Sequence, residues 1–298
     1  MMAKEDTITN CANCGRGEES SFDLKACTAC KLVKYCNREC QIAHRPLHKK
    51  ACKKRAAEIH DEALFKVPPP HEECPICFLP LPLDAAQTTF QPCCGKVICA
   101  GCIFAMAEEA RGRGKIGLCA FCRTPNPTTE EDEVKRIKNL VEVDHAMAFY
   151  VLAGYYDSGI MGMQQDWSKA RELWLRAGEL GCHEGYYNLG VAYKNGRGVE
   201  VDKMKARHYW ELAAMSGNIA ARHFLGSMEV RADNLHRAMK HYILSATAGH
   251  EESLDRVKKG FIHGIVTKDE YANTLRAYQE RHDEMKSEDR DNVIAELP

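Results

Sequence analysis

The chain has 298 residues, of which 45% are apolar, so its length permits two or three domains with ordinary globular cores. Its formal net charge of −1 excludes a general affinity of the whole chain for polyanions. The first ten residues are polar, without the apolar core of a signal peptide, and no apolar run approaches the roughly 18 residues of a membrane helix. We therefore expect a cytoplasmic or nuclear protein without membrane association.

Sixteen cysteines are present, and fifteen of them precede residue 123. Disulfides rarely persist in reducing compartments, where cysteines at two-residue spacing are more often zinc ligands. This asymmetry predicts a front part built around metal ions and a back part built around an apolar core. The sixteenth cysteine, Cys182, is expected to be a buried or half-buried small apolar residue.

Eight soft or borderline metal ligands lie between residues 11 and 52. They are Cys11, Cys14, Cys27, Cys30, Cys36, Cys40, His48 and Cys52. Their number suits two tetrahedral zinc sites, one with four cysteines and one with three cysteines and a histidine. The last four ligands form two pairs at i, i+4 spacing, which places each pair on one face of a helix. Between these pairs we expect Pro46 to break the helical segment.

This pattern resembles the MYND-type zinc finger at all eight ligand positions. The resemblance implies two interleaved sites, with one ion on Cys11, Cys14, Cys36 and Cys40 and the other on Cys27, Cys30, His48 and Cys52. Arg45 stands where the family usually has a tryptophan. MYND fingers bind short proline-containing peptides, so the resemblance implies a peptide partner. The alternative is that the metal ions only hold together a 42-residue fold whose own core is too small.

A basic stretch lies within this module, since residues 31–55 contain nine lysines and arginines and one acidic residue. A nucleic-acid contact or a nuclear-import signal is one interpretation. The stretch lacks the interleaved aromatic residues that single-strand binders use. We therefore favour cations that screen thiolate-rich zinc sites and solvate a helix, and we expect no nucleic-acid partner.

Residues 53–70 are expected to form a helical and proline-rich linker. From Lys53 to Lys66, apolar residues recur at helical spacing. The run Val67-Pro68-Pro69-Pro70 then ends the helix and should form a stiff, extended connector. This pattern predicts a boundary between a first module at residues 11–52 and a second module at residues 71–125.

The second module contains eight further cysteines. They are Cys74, Cys77, Cys93, Cys94, Cys99, Cys102, Cys119 and Cys122. The Cys-Pro-Ile-Cys start, the Cys-Gly-x-Val-Ile-Cys-Ala-Gly-Cys centre and the Cys-x-x-Cys-Arg end resemble a RING finger over about 50 residues. The resemblance implies a cross-brace, with one ion on Cys74, Cys77, Cys99 and Cys102 and the other on Cys93, Cys94, Cys119 and Cys122.

One position departs from the common RING pattern, because Lys96 stands where a histidine ligand is usual. A lysine ammonium has no free lone pair for a metal ion. The missing ligand is most simply Cys93, although the side chains of neighbours such as Cys93 and Cys94 tend to diverge. The sequence leaves open whether these two cysteines share one ion.

RING fingers act as ubiquitin ligases by holding a conjugating enzyme and its thioester-linked ubiquitin in a reactive geometry, without a nucleophile of their own. By resemblance, Ile76 contacts the conjugating enzyme, and Ile103 or Phe104 completes that contact. Arg123 bridges to ubiquitin with its fork of donors. Ala120 replaces the proline that is usual in the last knuckle, the Cys-x-x-Cys turn from Cys119 to Cys122. The alternative is a RING fold used only for binding.

The remaining chain repeats a helical pattern. Across residues 128–250, equivalent positions such as Trp174 and Trp210 recur at an offset of 36 or 37 residues, and a third copy has a shorter loop. The pattern resembles Sel-1-like repeats, which are relatives of tetratricopeptide repeats. At least three stacked units are expected, because no unit buries its apolar face alone. Residues 251–298 are expected to form capping helices.

The predicted fold is mostly α, with two small zinc-stabilised modules followed by an α-solenoid of helix-turn-helix repeats and its capping helices. The cofactor is Zn²⁺, at about four ions per chain, two in each finger module. The predicted function is that of a zinc-binding protein-interaction protein, a RING-type ubiquitin ligase whose MYND finger and repeats bind partners. The alternative is a non-enzymatic adaptor scaffold, so the assignment as an enzyme stays open. The chain has no P-loop, dinucleotide or metalloprotease motif.

Overall fold

A computed structural model describes residues 9–17, 23–69, 71–112 and 117–296. The chain divides into two compact units, Met1–Lys66 and Val67–Pro298. Helices are the main element of the described ranges, and none of those helices is long and apolar enough to cross a membrane. The mostly α fold expected from the sequence is confirmed.

The first unit consists of a short β-hairpin and one long helix. Strand β1 (Lys25–Ala26) pairs antiparallel with β2 (Lys34–Tyr35), and helix α1 follows over Arg38–Leu64. Asn37 caps the start of α1, because its side chain accepts a hydrogen bond from the Cys40 amide at 2.8 Å. The hairpin and the first turn of the helix therefore hold the chain in a fixed geometry around the cysteines.

The apolar core of the first unit is small. Leu24 and Tyr35 are buried together with Cys11, Cys27 and Cys30, so the cysteines are themselves much of the core. A domain of this size buries only a modest share of its surface, so its stability from apolar burial is marginal. Its fold must therefore depend on what the cysteines bind.

The expected break at Pro46 is wrong, because α1 runs through this residue without interruption. A proline inside a helix removes one backbone hydrogen bond and crowds the carbonyl group four residues earlier. Grouped cysteine and histidine side chains lie on both sides of it, at Cys40 before and at His48 and Cys52 after, and their fixed positions oppose a break. The helix that the sequence predicts for the linker is the second half of α1.

The second unit begins with a β-hairpin and a helix that directly follows it. Strand β3 (Thr88–Gln91) pairs antiparallel with β4 (Lys96–Cys99), and α2 covers Ala100–Gly112. The hairpin turn places Gly95 at φ +70°, a left-handed conformation that glycine adopts without strain. A Cβ at this position would lie 2.4 Å from His145 Nε2, so the turn packs against the helical part of the same unit.

Ten further helices of the described chain complete the second unit. They are α3 (Glu130–Glu142), α4 (Ala146–Ser158), α5 (Trp167–Glu179), α6 (His183–Asn195), α7 (Lys203–Met215), α8 (Ile219–Arg231), α9 (Leu235–Thr247), α10 (Glu251–Ile262), α11 (Lys268–Glu284) and α12 (Glu288–Glu296). Helices α4 to α9 form three consecutive pairs that pack on one another as an α-solenoid. Asp166 and Asp202 cap α5 and α7, and each accepts two backbone hydrogen bonds at 2.9 to 3.0 Å.

Packing between the repeats pairs small residues with large aromatic ones. Trp174 and Trp210 occupy equivalent positions of successive repeats, and both are buried. A Cβ on Gly190 of α6 would lie 2.3 Å from the Trp210 ring, so the contact requires glycine. Trp210 Nε1 also donates to the Tyr187 carbonyl oxygen at 3.2 Å. The tryptophans therefore fill the space between repeats, as the sequence pattern indicates.

A buried carboxylate joins three consecutive helices. Glu229 of α8 is 1% exposed, and it accepts hydrogen bonds from Arg207 of α7 and from Arg237 of α9, the latter at 3.1 Å. Asn234 Nδ2 donates to the same carboxylate at 2.8 Å. Burial raises the pKa of Glu229, but these hydrogen bonds and the two positive charges lower it below its ordinary value. The ionised side chain fixes the second repeat against the third.

Candidate metal centres

Sixteen side chains that the sequence proposes as metal ligands assemble into four groups of four. The ligand atoms of each group lie within 4.8 Å of one another. The groups are Cys11, Cys14, Cys36 and Cys40 (site 1), Cys27, Cys30, His48 and Cys52 (site 2), Cys74, Cys77, Cys99 and Cys102 (site 3), and Cys93, Cys94, Cys119 and Cys122 (site 4). The structure thus brings together every proposed ligand, in the interleaved pairings that the two resemblances imply.

The spacing of the sulfur atoms suits zinc. Two thiolates on one tetrahedral Zn²⁺ ion, each about 2.3 Å from the metal, are separated by about 3.8 Å. The Sγ–Sγ distances are 3.6 Å between Cys14 and Cys36, 3.8 Å between Cys27 and Cys52, 3.9 Å between Cys74 and Cys102, and 4.0 Å between Cys94 and Cys119. Closed groups of four sulfur and imidazole donors are typical of structural zinc. The protein therefore binds zinc, and the four groups provide for about four ions.

Four of the cysteine pairs are presented by the same backbone turn. In each turn, the residue four positions after the first cysteine has a positive φ and donates its amide to the carbonyl oxygen of that cysteine. These residues are Gly15, Lys31, Phe78 and Arg123, with φ between +57° and +73°. A positive φ is unfavourable for a residue with a side chain. Three of the four turns therefore place a residue with a side chain in an unfavourable backbone conformation.

Adjacent cysteines contribute to site 4. Cys93 Sγ lies 3.3 Å from Cys122 Sγ, and Cys94 belongs to the same group. The tight turn between β3 and β4 brings both neighbours to one group, although side chains of adjacent residues tend to diverge. Lys96 lies outside the group, with Nζ 5.9 Å from the centre of the Phe121 ring.

Within each group, the surroundings lower the pKa of one cysteine thiol and raise the pKa of another. Burial raises the pKa of the Cys11 thiol, but hydrogen bonds from the backbone amides of Cys14, Cys36 and Asn13 lower it more, to about 6. Burial and hydrogen bonds to neighbouring thiols raise the pKa of Cys36 to about 12. Elsewhere the pKa falls to about 6 for Cys27 and Cys122 and to about 7 for Cys74, and rises to about 11 for Cys52 and Cys94. Full ionisation of a group therefore needs a bound cation, which Zn²⁺ supplies.

A buried arginine from the end of the chain contacts site 3. Arg290 of α12 is 5% exposed, its Nη2 lies 3.4 Å from Cys77 Sγ, and its Nη1 donates to the Pro80 carbonyl oxygen at 2.9 Å. Burial lowers the pKa of Arg290, but the neighbouring Cys99 and Cys77 thiols raise it above its ordinary value. A group of four thiolates around Zn²⁺ keeps two negative charges, and Arg290 places one positive charge beside them.

The contact between Arg290 and Cys77 was missed by sequence reasoning. The two residues are 213 positions apart, and no spacing rule links them. Arg290 lies in a charged stretch that the sequence presents only as part of the capping helices. An arginine in such a stretch is ordinarily solvated, so no local signal could have identified it.

The apolar residues proposed to contact a conjugating enzyme lie around site 3. Ile76 and Ile103 are half-buried and pack against one buried cluster, as does Ala120, which replaces the usual proline. That cluster consists of Cys74, Ile98, Cys99 and Cys102. The zinc ligands and the proposed contact residues therefore share one small core.

A groove of about 560 Å³ adjoins this core. Among the described residues, Ile103 and Met106 of α2 line it on one side, and Ala120 and Arg123 of the last knuckle line it on another. Of the two alternatives for the helix contact, Ile103 lines the groove and Phe104 is not among its described lining residues. Arg123 is exposed, and its Nη2 lies 4.0 Å from Met106 Sδ.

We expect Cys93→Ser to remove a sulfur ligand from site 4 and to lower the zinc content from about four ions per chain to about three. Zinc is measured by atomic absorption after dialysis against a competing chelator. Lys96→Ala is the matched control, because this side chain lies outside the group, and it should keep the full zinc content. Equal zinc content in the Cys93 variant and the wild type would contradict the assignment of this ligand.

We expect Arg290→Gln to speed zinc release from site 3, because the thiolate group then lacks its buried counter-charge. Losses of groups that support a metal ligand typically weaken metal binding by about 10- to 100-fold. Zinc release is followed with a coloured zinc chelator. The ion from site 3 should be released faster, while release from the other three sites should not change. Arg276→Gln is the control, because Arg276 is exposed on α11 and contacts Asn273. Unchanged release from the Arg290 variant would show that the contact is only structural.

Comparison with known families identifies two parts of the chain. The MYND finger family matches residues 11–52, and the Sel1 repeat family matches residues 144–182, 183–218 and 218–250. Comparison with curated proteins gives no significant match. Both families are protein-interaction modules, so the chain is a zinc-finger and repeat scaffold for protein partners.

Solved structures with Sel1-type folds resemble part of the chain. A Sel1 repeat protein from Oxalobacter formigenes is 18% identical over 60% of this chain and 71% of its own length, with a TM-score of 0.45. The protective antigen c5321 of uropathogenic Escherichia coli is 23% identical over 62% of this chain and 38% of its own length, with a TM-score of 0.46. By the family matches, residues 11–52 are a MYND finger and residues 144–250 carry Sel1 repeats.

Proposed function

We propose that this zinc-binding interaction protein is a RING-type ubiquitin ligase. In this proposal, residues 71–125 form the RING-type finger and position a ubiquitin-conjugating enzyme. The MYND finger at residues 11–52 and the repeats at residues 128–250 bind partners and select substrates. Residues 53–70 link the two zinc modules, and residues 251–298 cap the repeats.

The arrangement of sites 3 and 4 supports a RING-type finger. The first and third cysteine pairs share site 3, and the second and fourth pairs share site 4. Strands β3 and β4 and helix α2 lie between the ligands of the first and last knuckles, so a ββα unit is held at both ends by a metal group. This is the interleaved arrangement that the RING resemblance implies, with Cys93 in place of the usual histidine.

The observation that carries the ligase proposal is the groove between α2 and the last knuckle. It combines apolar side chains, Ile103 and Met106, with the exposed guanidinium of Arg123. An apolar surface beside a fork of hydrogen-bond donors suits a conjugating enzyme that carries ubiquitin on one side. Ile76 packs on the same core and would extend the apolar contact.

Ligase activity of this kind is catalysis by positioning. The ubiquitin thioester reacts directly with an amine of the substrate, and the ligase only restricts the orientation of the reacting partners. The Arg123 backbone is held at φ +62°, with its amide donating to the Cys119 carbonyl oxygen at 3.0 Å. The turn therefore fixes the backbone of Arg123, and the guanidinium extends from this fixed position.

A non-enzymatic adaptor is the second candidate function. Two family matches, the MYND finger and the Sel1 repeats, are binding modules without chemistry of their own. Ala120 also replaces the proline that is usual beside the conjugating-enzyme surface. In this alternative the groove binds a protein partner but does not promote ubiquitin transfer.

The deciding experiment measures the discharge of ubiquitin from a panel of loaded conjugating enzymes to free lysine. We expect the wild type to accelerate discharge from at least one enzyme. In the Arg123→Ala variant this acceleration should be at least about tenfold smaller, because positioning by a bidentate donor is removed. Arg111→Ala is the matched control, since Arg111 is an exposed cation on α2. Absence of discharge across a broad panel would favour the adaptor.

We further propose that the MYND finger binds a proline-containing peptide. Among the described residues of this unit, three large apolar side chains are exposed, with Leu32 at 43%, Ile42 at 60% and Leu47 at 82%. Such side chains offer contact surface to a pre-ordered, extended proline segment, which loses little conformational entropy on binding.

Titration of proline-rich peptides into ¹⁵N-labelled full-length protein tests this binding. We expect amide shifts confined to residues 11–52, and we expect Leu47→Glu to abolish them, because a charge then replaces apolar contact. Glu58→Lys is the control, since it reverses an exposed charge near the end of the same helix. Shifts that persist in the Leu47 variant would place the peptide elsewhere.

A further inference from the structure

Two histidines and a glutamate, which we name the histidine cluster, lie apart from the four cysteine sites. His223 is on α8, His250 caps the start of α10, and Glu252 lies in the first turn of α10. One ligand atom from each residue lies within 4.8 Å of the other two. The two imidazole rings have centroids 4.8 Å apart, and Glu252 Oε2 lies 3.6 Å from His223 Nε2.

A chain of hydrogen bonds sets the tautomer of His223. The Ser245 hydroxyl donates to the Ile219 carbonyl oxygen at 3.1 Å, and the Ser253 hydroxyl donates to Ser245 Oγ at 3.0 Å. Ser253 has then used its only proton, so it can only accept from His223 Nδ1, which lies 2.9 Å from Ser253 Oγ. His223 therefore carries its proton on Nδ1, and its Nε2 presents a lone pair.

This lone pair faces the Glu252 carboxylate, which also offers only lone pairs when ionised. Two acceptors 3.6 Å apart repel each other unless a proton or a metal ion lies between them. Burial lowers the pKa of His223 and of His250 below the ordinary value, and the negative charge of Glu252 opposes this shift in both rings. A neutral imidazole is the form of histidine that binds metals.

We propose that His223, His250 and Glu252 bind a divalent transition-metal ion, with Zn²⁺ as the expected occupant. Two imidazoles and one carboxylate are a donor set that zinc uses in proteins. Ca²⁺ and Mg²⁺ prefer six or more oxygen ligands, which this cluster does not offer. The neighbouring Arg256 opposes any ion held by charge alone, so binding must rest on coordination by the two imidazoles, which favours a transition metal.

Ser253 orients both rings in this proposal. Its Oγ lies 3.1 Å from His250 Nδ1, which also lies 3.2 Å from the Ser253 amide. The Ser253 amide donates to His250 Nδ1 in this cap, so coordination by His250 Nε2 would exchange that bond for one from Nδ1–H to the second lone pair of Ser253 Oγ. Ser253 is fully buried and gives its proton to Ser245, so it is not placed to act as a nucleophile beside the histidines.

The proposed ion would join the third repeat to the first capping helix, because one ligand lies on α8 and two lie at the start of α10. Glu252 has 79% of its side chain exposed, so the site opens to solvent. Zinc is usually four-coordinate, which leaves one position for water or for a side chain of a bound partner. The cluster therefore provides a metal-dependent contact point on the repeat surface.

The test uses untagged, full-length protein whose cysteine sites are loaded with zinc, and Ni²⁺ is the probe. We expect calorimetry to detect one Ni²⁺ ion per chain, and the paramagnetic ion to broaden the ring signals of His223 and His250 in NMR spectra. Glu252→Gln and His223→Gln should weaken Ni²⁺ binding by at least about tenfold, since each removes a ligand.

Glu251→Gln is the matched control, because it removes the same charge from the adjacent, exposed residue of α10 and should bind Ni²⁺ like the wild type. The zinc content of every variant is measured to verify that the cysteine sites are intact. Glu252 is exposed, so its variant keeps the test decisive if the His223 variant misfolds. The proposal is overturned if the wild type binds no Ni²⁺, or if Glu252→Gln binds it as tightly as Glu251→Gln.

Discussion

Repulsion among crowded thiolates is the constraint on which the zinc modules depend. In each module, backbone hydrogen bonds favour one ionised cysteine, as at Cys11 and Cys74, and the neighbouring thiols then resist ionisation. A divalent cation removes this conflict, so metal binding and folding of residues 11–52 are one process. The small core of Leu24 and Tyr35 could not replace that contribution.

The second zinc module extends this dependence to the repeats, because both belong to one compact unit. The Gly95 turn packs on His145 at the start of α4, and Arg290 of α12 reaches Cys77. The module thus contacts the first helix of the repeats and also α12, which follows the repeats in the chain. Loss of zinc at site 3 would leave Arg290 buried without its anionic partner, so the consequences would reach α12.

The two family resemblances implied how the sixteen side chains would group, and the structure brings them together in these groups. Much of this arrangement is local, because a short Cys-x-x-Cys motif contains most of the geometry of its turn. Helical periodicity likewise predicted the repeats, in which Trp174 and Trp210 fill equivalent gaps. Three features could not be predicted in this way. The helix continues through Pro46 because ligands hold it on both sides, Arg290 reaches site 3 across 213 residues, and the histidine cluster joins His223 to His250 across a helix pair. Each depends on tertiary contacts that no short motif records.

The knuckle also connects metal binding to the proposed function. Arg123 keeps a left-handed backbone, which is unfavourable for a residue with a side chain, and its amide donates to the Cys119 carbonyl oxygen. If zinc leaves site 4, only this hydrogen bond opposes the intrinsic cost of that backbone conformation, and the position of the guanidinium beside Met106 is less well fixed. In the proposed ligase, zinc would therefore influence ubiquitin transfer without taking part in its chemistry, because it helps to keep the Arg123 backbone in place.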